Sequence, residues 1–488
     1  MNFLTLDVGS TCCKCQVFSQ DGAILFYRTA ECALSREDGG ASVDIRALWS
    51  VIRDLVRAAS ETAEITSVAV ASFGESFVLL DENDELIAYP MLYTDPRGEE
   101  QAKQVAETLG KQKIFSVTGT VPHAMYSVYK LLWWKQNRPE IYRKADKLLL
   151  ICDYIGYLLT GKRVIDYSLA ARTGVFDIRG KCFSEELLSA LGIDRNLFSV
   201  PMPTGSVVGD ILPSVTKELG LPKGCRLILG SHDQICATLG AGVFQAGQAA
   251  DGMGTVECIT AVFEKAPDDL RFGEMGYCVV PFLRDLYCTY IFNYTSNSIV
   301  NWFRSDILHG YKGEEEKQFA YLEGHDRPPT EVLLLPYFAG AATPYQDADA
   351  KGAFLNLTKD TTDLDMHRAI LEGTSYEMKV NLETAAQFGI GVQAITATGG
   401  GANSDLWLQI KSDILGLPVR TLRSSEGGLC GLAVLSAVAA GAYDSPEAAR
   451  AVFVRYKKEY VPQTDYAQIY SQKYQKYKKL YHILKEIN

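Results

Sequence analysis

The apolar runs at the start of the chain are short and punctuated. "FLTLDVGSTCCKCQVFSQDGAILFYRTAE" predicts strand, tight turn, strand, turn, strand, with "GST" and "QDG" as turn signals. A helix is predicted around "DIRALWSVIRDLVRAASE", followed by another apolar run, "ITSVAVASFGESFVLLDENDEL". This is an α/β pattern with an antiparallel component. "YSVYKLLWWKQN" (126–137) has helical spacing: Leu131 and Trp134 or Trp133 face inward, Lys130 and Lys135 outward. The tail, "YAQIYSQKYQKYKKLYHILKEIN", sets tyrosines at helical spacing among lysines and predicts a terminal helix.

The second half opens like the first. Residues 249–263, "AADGMGTVECITAVF", can be laid on residues 4–18, "LTLDVGSTCCKCQVF", with one gap. Each copy has an aspartate, a Gly- and Thr-bearing turn, and an apolar strand ending in Val-Phe. With 488 residues the chain exceeds one hydrophobic core. The repeat predicts two α/β domains, residues 1–245 and 246–488, with a cleft between them and the boundary in "VFQAGQAA".

Apolar content of 47% and charged content of 22% are those of a soluble globular protein. A net charge of −11 argues against nucleic acid as a partner, because phosphate backbones reward basic surfaces. No apolar run reaches membrane-span length, and "MNFLTLDVGS" has no basic n-region. Twelve cysteines scattered through apolar stretches read as reduced thiols and predict a cytoplasmic address. Cys13 and Cys15 would share one strand face and Cys12 the other, a poor metal cage.

Four stretches carry chemistry. In "LDVGSTCCK", small residues and hydroxyls at a strand-to-strand turn make an anion nest, and Asp7 could hold a hydrated Mg²⁺. An ordinary hairpin would look the same, but "DGMGTVE" (251–257) is its partner in the other half, and a phosphate chain clamped between two hairpins needs one from each. "TATGGGANSDLWLQIKSDILGLPV" runs strand, three glycines, helix; glycines let a flat ligand or phosphate approach the backbone. It is not GxGxxG, which disfavours a dinucleotide site. In "GSHDQICATLGAG", Asp233 stands where an apolar strand ends and a helix begins. A strand end aims a carboxylate into a cleft. His232, adjacent to it, would point the opposite way in an extended segment.

These residues resemble the FGGY carbohydrate kinase family. "MYSVYKLLWWKQN" is similar to its first signature, and "GAFLNLTKDTTDLDMHRAILEG" (352–373) to its second, with Asn356 where glycine is usual. "DVGSTCCK", "YTDPRG", "CDYIGYLLTGKRVIDYSLAARTGVFD", "GSHDQICATLGAG", "LLLPYFAGAATPYQDADAKGAF" and the triple-glycine stretch continue the resemblance in family order. It implies two actin-like, ribonuclease-H-like α/β domains with an ATP–sugar cleft between them. It also implies ATP and Mg²⁺ as cofactors, with Asp7 as the metal-associated aspartate and Asp233 as the catalytic base. Ser10, Thr11 and Lys14 would lie near the nucleotide phosphates, Gly254 and Thr255 in the second phosphate loop, and Asn301, Gly400, Gly401 and Ser404 on the nucleotide side.

On the sugar side the resemblance implies Gly74, Glu75, Asp95, Arg97 and Gln234. Gly74 and Glu75 stand where many xylulose kinases carry Met-His, whereas glycerol kinases have Arg-Glu there. Glu75 would accept from a hydroxyl-rich ketose or polyol. Asp95 and Arg97 also suit a turn-stabilising ion pair. The expectation is an ATP-dependent kinase of a pentulose such as xylulose, or of a hexulose. The alternatives are a polyol kinase, for glycerol or erythritol, and a catalytically silent sugar-binding regulator. Family members are often dimers, which makes a homodimer the expected assembly.

Overall fold

The computed structural model describes residues 1–32, 34–37, 40–308, 322–324, 327–424 and 426–487. Its frame is two large mixed sheets. In the first, the strands run in the order Val207–Asp210, Arg226–Ile228, Ser67–Ser72, Asn2–Val8, Cys12–Ser19, Ile24–Glu31. In the second, the order is Val280–Pro281, Tyr287–Asn293, Glu257–Phe263, Gln248–Met253, Ala394–Thr398, Val419–Leu422, Tyr456–Tyr460.

The two sheets repeat one plan. Asn2–Val8 pairs antiparallel with Cys12–Ser19 and parallel with Ser67–Ser72; Gln248–Met253 pairs antiparallel with Glu257–Phe263 and parallel with Ala394–Thr398. Asp7 lies opposite Lys14 and beside Ala71, while Asp251 lies opposite Ile259 and beside Ala397. The duplication expected from the repeated hairpin is therefore a duplication of sheet topology. The central strands are buried on both faces, as crossover-linked strands covered by helices must be.

Helix Ile45–Ser60 begins at Asp44, whose carboxylate accepts from the amides of Arg46 and Ala47. It buries Leu48, Ile52 and Leu55 against the first hairpin. The long helix Asp363–Ala386 begins with a capping box between Thr362 and Asp365. The terminal helix Ala467–Lys485 docks through Tyr470, Tyr474, Tyr477 and Tyr481, all buried. Tyr477 and Tyr337 both donate to Glu377, at 2.7 and 2.9 Å. Asn356 adopts a φ of 64°, the left-handed conformation that glycine takes most easily, so the departure from the second signature keeps the backbone shape.

The two halves meet through helices Asp233–Gly240 and Gly427–Ala439. The second of these also packs on strands Asn2–Val8 and Ser67–Ser72. Their approach is backbone against backbone: a Cβ on Gly240 would lie 1.8 Å from the Gly427 carbonyl oxygen, and one on Gly431 would lie 2.0 Å from that of Cys236. Only glycine fits such a crossing. No described helix is long and apolar enough to cross a membrane.

Candidate active site

Asp7 ends the first strand, and the turn Gly9–Thr11 leads to Lys14 on the next. Ser10 is half-buried and Thr11 exposed at the tip. Lys14 Nζ lies 2.7 Å from Glu426 Oε2, and Tyr27 donates to Glu426 Oε1 at 3.2 Å. The first turn of helix Gly427–Ala439 faces Asp7: a Cβ on Gly428 would stand 3.1 Å from Asp7 Oδ2. Burial pushes the Asp7 carboxyl up to about 6, against the pull of Lys14. The half-buried carboxylate fits a hard cation that keeps several waters and takes its other ligands from phosphates, while the lysine and the helix start beside it favour the phosphates themselves. Among the described residues no cluster of three or more His, Cys, Asp or Glu side chains forms a cage. Cys12, Cys13 and Cys15 are free thiols, with Cys13 Sγ 3.1 Å from Cys32 Sγ.

The second hairpin turns at Gly254 and Thr255. Their carbonyls accept from the amides of Asn297 (3.2 Å) and Ser296 (3.2 Å), which docks the turn on helix Asn297–Trp302. Asp251 and Glu257 flank this turn and share the fully buried Lys411 ammonium, Asp251 Oδ2 at 2.5 Å. The two repeated aspartates have thus diverged. Asp7 borders the nest, whereas Asp251 anchors the second hairpin to helix Asp405–Leu415.

A cavity of about 680 Å³ opens beside Thr398, Gly399, Gly400, Asn403, Arg423 and Ser424. Ser424 Oγ accepts from the Glu426 amide at 3.2 Å, so a chain of contacts leads from the cavity edge through Glu426 to Lys14. A Cβ on Gly400 would meet Asn297 Nδ2 at 2.7 Å, and one on Gly401 would meet Met253 Cβ at 2.9 Å. Gly400 lines the cavity; Gly401 is buried beneath it. Ser404 instead caps helix Asp405–Leu415 and donates to Glu323 at 2.6 Å, and Asn301 lies exposed; neither lines the cavity.

Asp233 is the first residue of helix Asp233–Gly240, where the dipole favours a carboxylate. Its side chain is 30% exposed. Burial, together with Asp7 and Glu75, pushes its carboxyl up to about 7 against the opposing Gln234 amide and Arg172. The Gln234 amide donates to Oδ1 at 2.6 Å, and His232 Nε2 is 3.3 Å from the same oxygen. That leaves Oδ2 for a hydroxyl. The expectation that His232 points away from Asp233 is wrong: His232 is the residue at which the chain turns from strand into helix, so strand alternation does not apply there.

On the far side of Asp233, Glu75 pairs with Arg172 Nε at 2.5 Å, both side chains buried. The Arg172 guanidinium lies 5.0 Å from the Tyr126 ring centre and 5.9 Å from that of Tyr290. Glu75 adopts a φ of 63°, and its carbonyl accepts from Ser127 Oγ at 2.7 Å. Gly74 is required by crowding: a Cβ there would stand 3.1 Å from Arg172 Cγ and 3.2 Å from His232 Cδ2. A cavity of about 540 Å³ lies next to this pair, lined by Tyr93, Asp95, Glu99, His123 and Met125. Met125 Sδ is 3.9 Å from an Arg172 nitrogen, and Asp233 and Glu75 both raise the pKa of Tyr93 after burial.

Asp95 and Arg97 form a bidentate pair, Nε to Oδ1 at 2.9 Å and a terminal nitrogen to Oδ2 at 2.7 Å, and the Arg97 amide adds a third bond at 2.9 Å. The turn-stabilising role is thus realised, while Asp95 also borders the cavity. Lys130, expected to face outward, is fully buried; its ammonium bonds the Asp95 carbonyl at 2.6 Å. The helix spacing is right, but this lysine's partner comes from another segment.

Residue patterns of the FGGY family of carbohydrate kinases match residues 2–240 for its N-terminal domain and 253–440 for its C-terminal domain. The chain belongs to the FGGY family of carbohydrate kinases. It is 25% identical to a xylulose kinase of Bacillus subtilis (strain 168), over 99% of this chain and 97% of the relative. It is 29% identical to a gluconokinase of the same organism, over 91% and 89%. The crystal structure of gluconate kinase from Lactobacillus acidophilus shares the fold, with a TM-score of 0.90 at 24% identity over 99% of this chain and 98% of that one. The FGGY kinase described here is thus a phosphotransferase with an alcohol acceptor, an ATP-dependent sugar kinase of two actin-like α/β domains that uses a divalent metal.

Arg172, Tyr93, Tyr290 and Glu426 escaped the sequence reading. Arg172 lies within a stretch whose family resemblance is visible, but its pairing with Glu75 spans 97 residues. Glu426 sits in "RSSEGGLC", which reads as a turn, and its partner Lys14 is 412 residues away.

Proposed function

We propose that this FGGY kinase transfers the γ-phosphoryl group of ATP to a hydroxyl of a neutral ketose, a pentulose such as xylulose or a hexulose, with Asp233 as general base. The observation that carries this is the position of Asp233 between two arms. One arm runs from Asp7 through Lys14 and Glu426 to the glycine-lined cavity; the other runs through Glu75 and Arg172 to the Tyr93 cavity.

A sugar hydroxyl is a poor nucleophile at neutral pH. Asp233 Oδ2 accepts its proton as the O–P bond forms, and a carboxylate that titrates near 7 is matched to that task. The two hairpins hold the phosphate chain in line through backbone amides and the Ser10, Thr11 and Thr255 hydroxyls. Lys14 neutralises phosphate charge. Asp7 would hold Mg²⁺, which would offset the phosphate charge when bound. The Gly400 face receives the adenosine. Asp95 and Gln234 shape the sugar end.

The choice of a neutral sugar rests on charge. Beside Asp233, Arg172 is already matched by Glu75, and Glu75 and Asp233 both repel a carboxylate. The two lysines that line the Tyr93 cavity, Lys103 and Lys111, lie 3.3 Å from Glu99 and 4.0 Å from Glu274, so an acid sugar such as gluconate would meet cations that already have carboxylate partners. A coupled ADP-release assay over pentuloses, hexuloses, polyols and gluconate tests this. Turnover stimulated by a ketose supports the proposal. Turnover restricted to polyols or gluconate contradicts the substrate class, and binding without turnover contradicts kinase action at this site.

A further inference from the structure

The imidazole of His232 bridges the base to the second half of the chain. Its Nε2 lies 3.3 Å from Asp233 Oδ1, and its Nδ1 lies 3.1 Å from the Tyr290 hydroxyl, on strand Tyr287–Asn293 of the second sheet. The ring is held from several sides. The His232 amide donates to Ser168 Oγ at 3.2 Å, Ser168 Oγ lies 2.7 Å from Ser231 Oγ, and Ser231 donates to the buried Asp166 at 2.8 Å. Gly74 leaves the space that the ring edge fills.

Burial, reinforced by Arg172, pushes the His232 pKa down to about 3, so the ring is neutral and carries one N–H. Its two nitrogens then have opposite roles. If the Tyr290 hydroxyl donates to Nδ1, the hydrogen stays on Nε2, the ring nitrogen 3.3 Å from Asp233 Oδ1. In the other tautomer a lone pair would face an anion.

We propose that His232 is a positioning residue for Asp233, and that Tyr290, reaching across from the second sheet, fixes the tautomer in which it donates. This rests on Asp233 being the base. The base is thereby oriented by a contact between the two halves, so that it is held in its reacting geometry when they are together. Like the metal-ligating histidine that a carboxylate orients, the group is set by what its second nitrogen meets. The other groups facing Asp233 are Asp7 from the first hairpin, Glu75 and Tyr93 from the sugar side, Arg172, and Cys236 on its own helix.

The test uses full-length Tyr290→Phe, His232→Gln and His232→Leu enzymes beside Asp233→Asn. They are assayed with ATP and the sugar of highest turnover in the panel, with thermal melts to verify folding. Tyr290→Phe and His232→Leu should lose about 10- to 100-fold in kcat, the usual cost of an outer partner, with KM for ATP unchanged. The acid limb of their pH profiles should move to higher pH, because a lost donor destabilises the carboxylate. His232→Gln, which can still donate, should recover part of the rate. Wild-type kcat and an unmoved acid limb in Tyr290→Phe, or equal rates for the Gln and Leu variants, would overturn the positioning role while a collapsed Asp233→Asn left the base assignment standing. A fully active Asp233→Asn would overturn both. Tyr290→Phe keeps its ring, so it decides the matter even if His232→Leu does not fold.

Discussion

Lys14 and Glu426 are joined by a 2.7 Å ion pair that ties the first hairpin to the start of helix Gly427–Ala439. The ammonium that should meet the nucleotide phosphates is therefore already held by a carboxylate, and phosphates must compete for it. The pair is partly exposed, with Lys14 at 35%, so its worth is small. Glu426→Gln should strengthen ATP binding less than tenfold, and Lys14→Met should weaken it. Isothermal calorimetry with a non-hydrolysable ATP analogue measures both, and weaker binding by Glu426→Gln would show that Glu426 assists the phosphates.

Burial holds Asp7 near 6 and, with the help of the Asp7 charge, Asp233 near 7, so both carboxyls contribute to the acid limb. Activity should rise with pH, with an apparent midpoint in kcat/KM between about 6 and about 7. A rate flat through this range would exclude Asp233 as an essential base. Stability moves the other way. A carboxyl whose pKa is raised on folding binds its proton more tightly in the folded state. It therefore contributes most at low pH, and that contribution is lost as pH rises through the unfolded value, about 3.9, towards 7. Asp233→Asn should melt no lower than wild type at pH above 7.

Lys411 sits fully buried between Asp251 and Glu257, the residues that flank the second hairpin turn. Removing one member of a buried charge cluster leaves uncompensated charge, at a cost of about 3–5 kcal/mol. Lys411→Met should lower the unfolding free energy by an amount of that order, read from the midpoint and slope of urea unfolding. An unchanged unfolding free energy would mean that the fold does not depend on Lys411 to balance the two carboxylates.

Glu75 cancels Arg172 beside the sugar cavity. Glu75→Gln should release that cation and lower the KM for gluconate relative to a neutral ketose, measured by ADP release with each sugar. An unchanged ratio of the two kcat/KM values would place the pair outside the substrate's reach.

Much of the frame was legible from local pattern. The turns in "GST" and "QDG", the repeated hairpin and the strand-to-helix step at Asp233 are set by residues a few positions apart, where φ/ψ preferences and period decide. What escaped depends on partners far along the chain. Lys130 reads as a surface lysine until the Asp95 carbonyl is brought to it, and Asp251 reads as the counterpart of Asp7 in the repeated hairpin until Lys411 arrives. His232 differs in kind: strand alternation does not hold across it, because it is the residue that leads into helix Asp233–Gly240.

The most direct measurement is the turnover of Asp233→Asn, paired with its affinity for the ATP analogue. The account predicts at least ~10²-fold loss in kcat, at the low end of what a general base supplies, with nucleotide binding and melting temperature retained. An Asp233→Asn enzyme that phosphorylates its sugar at the wild-type rate would contradict it.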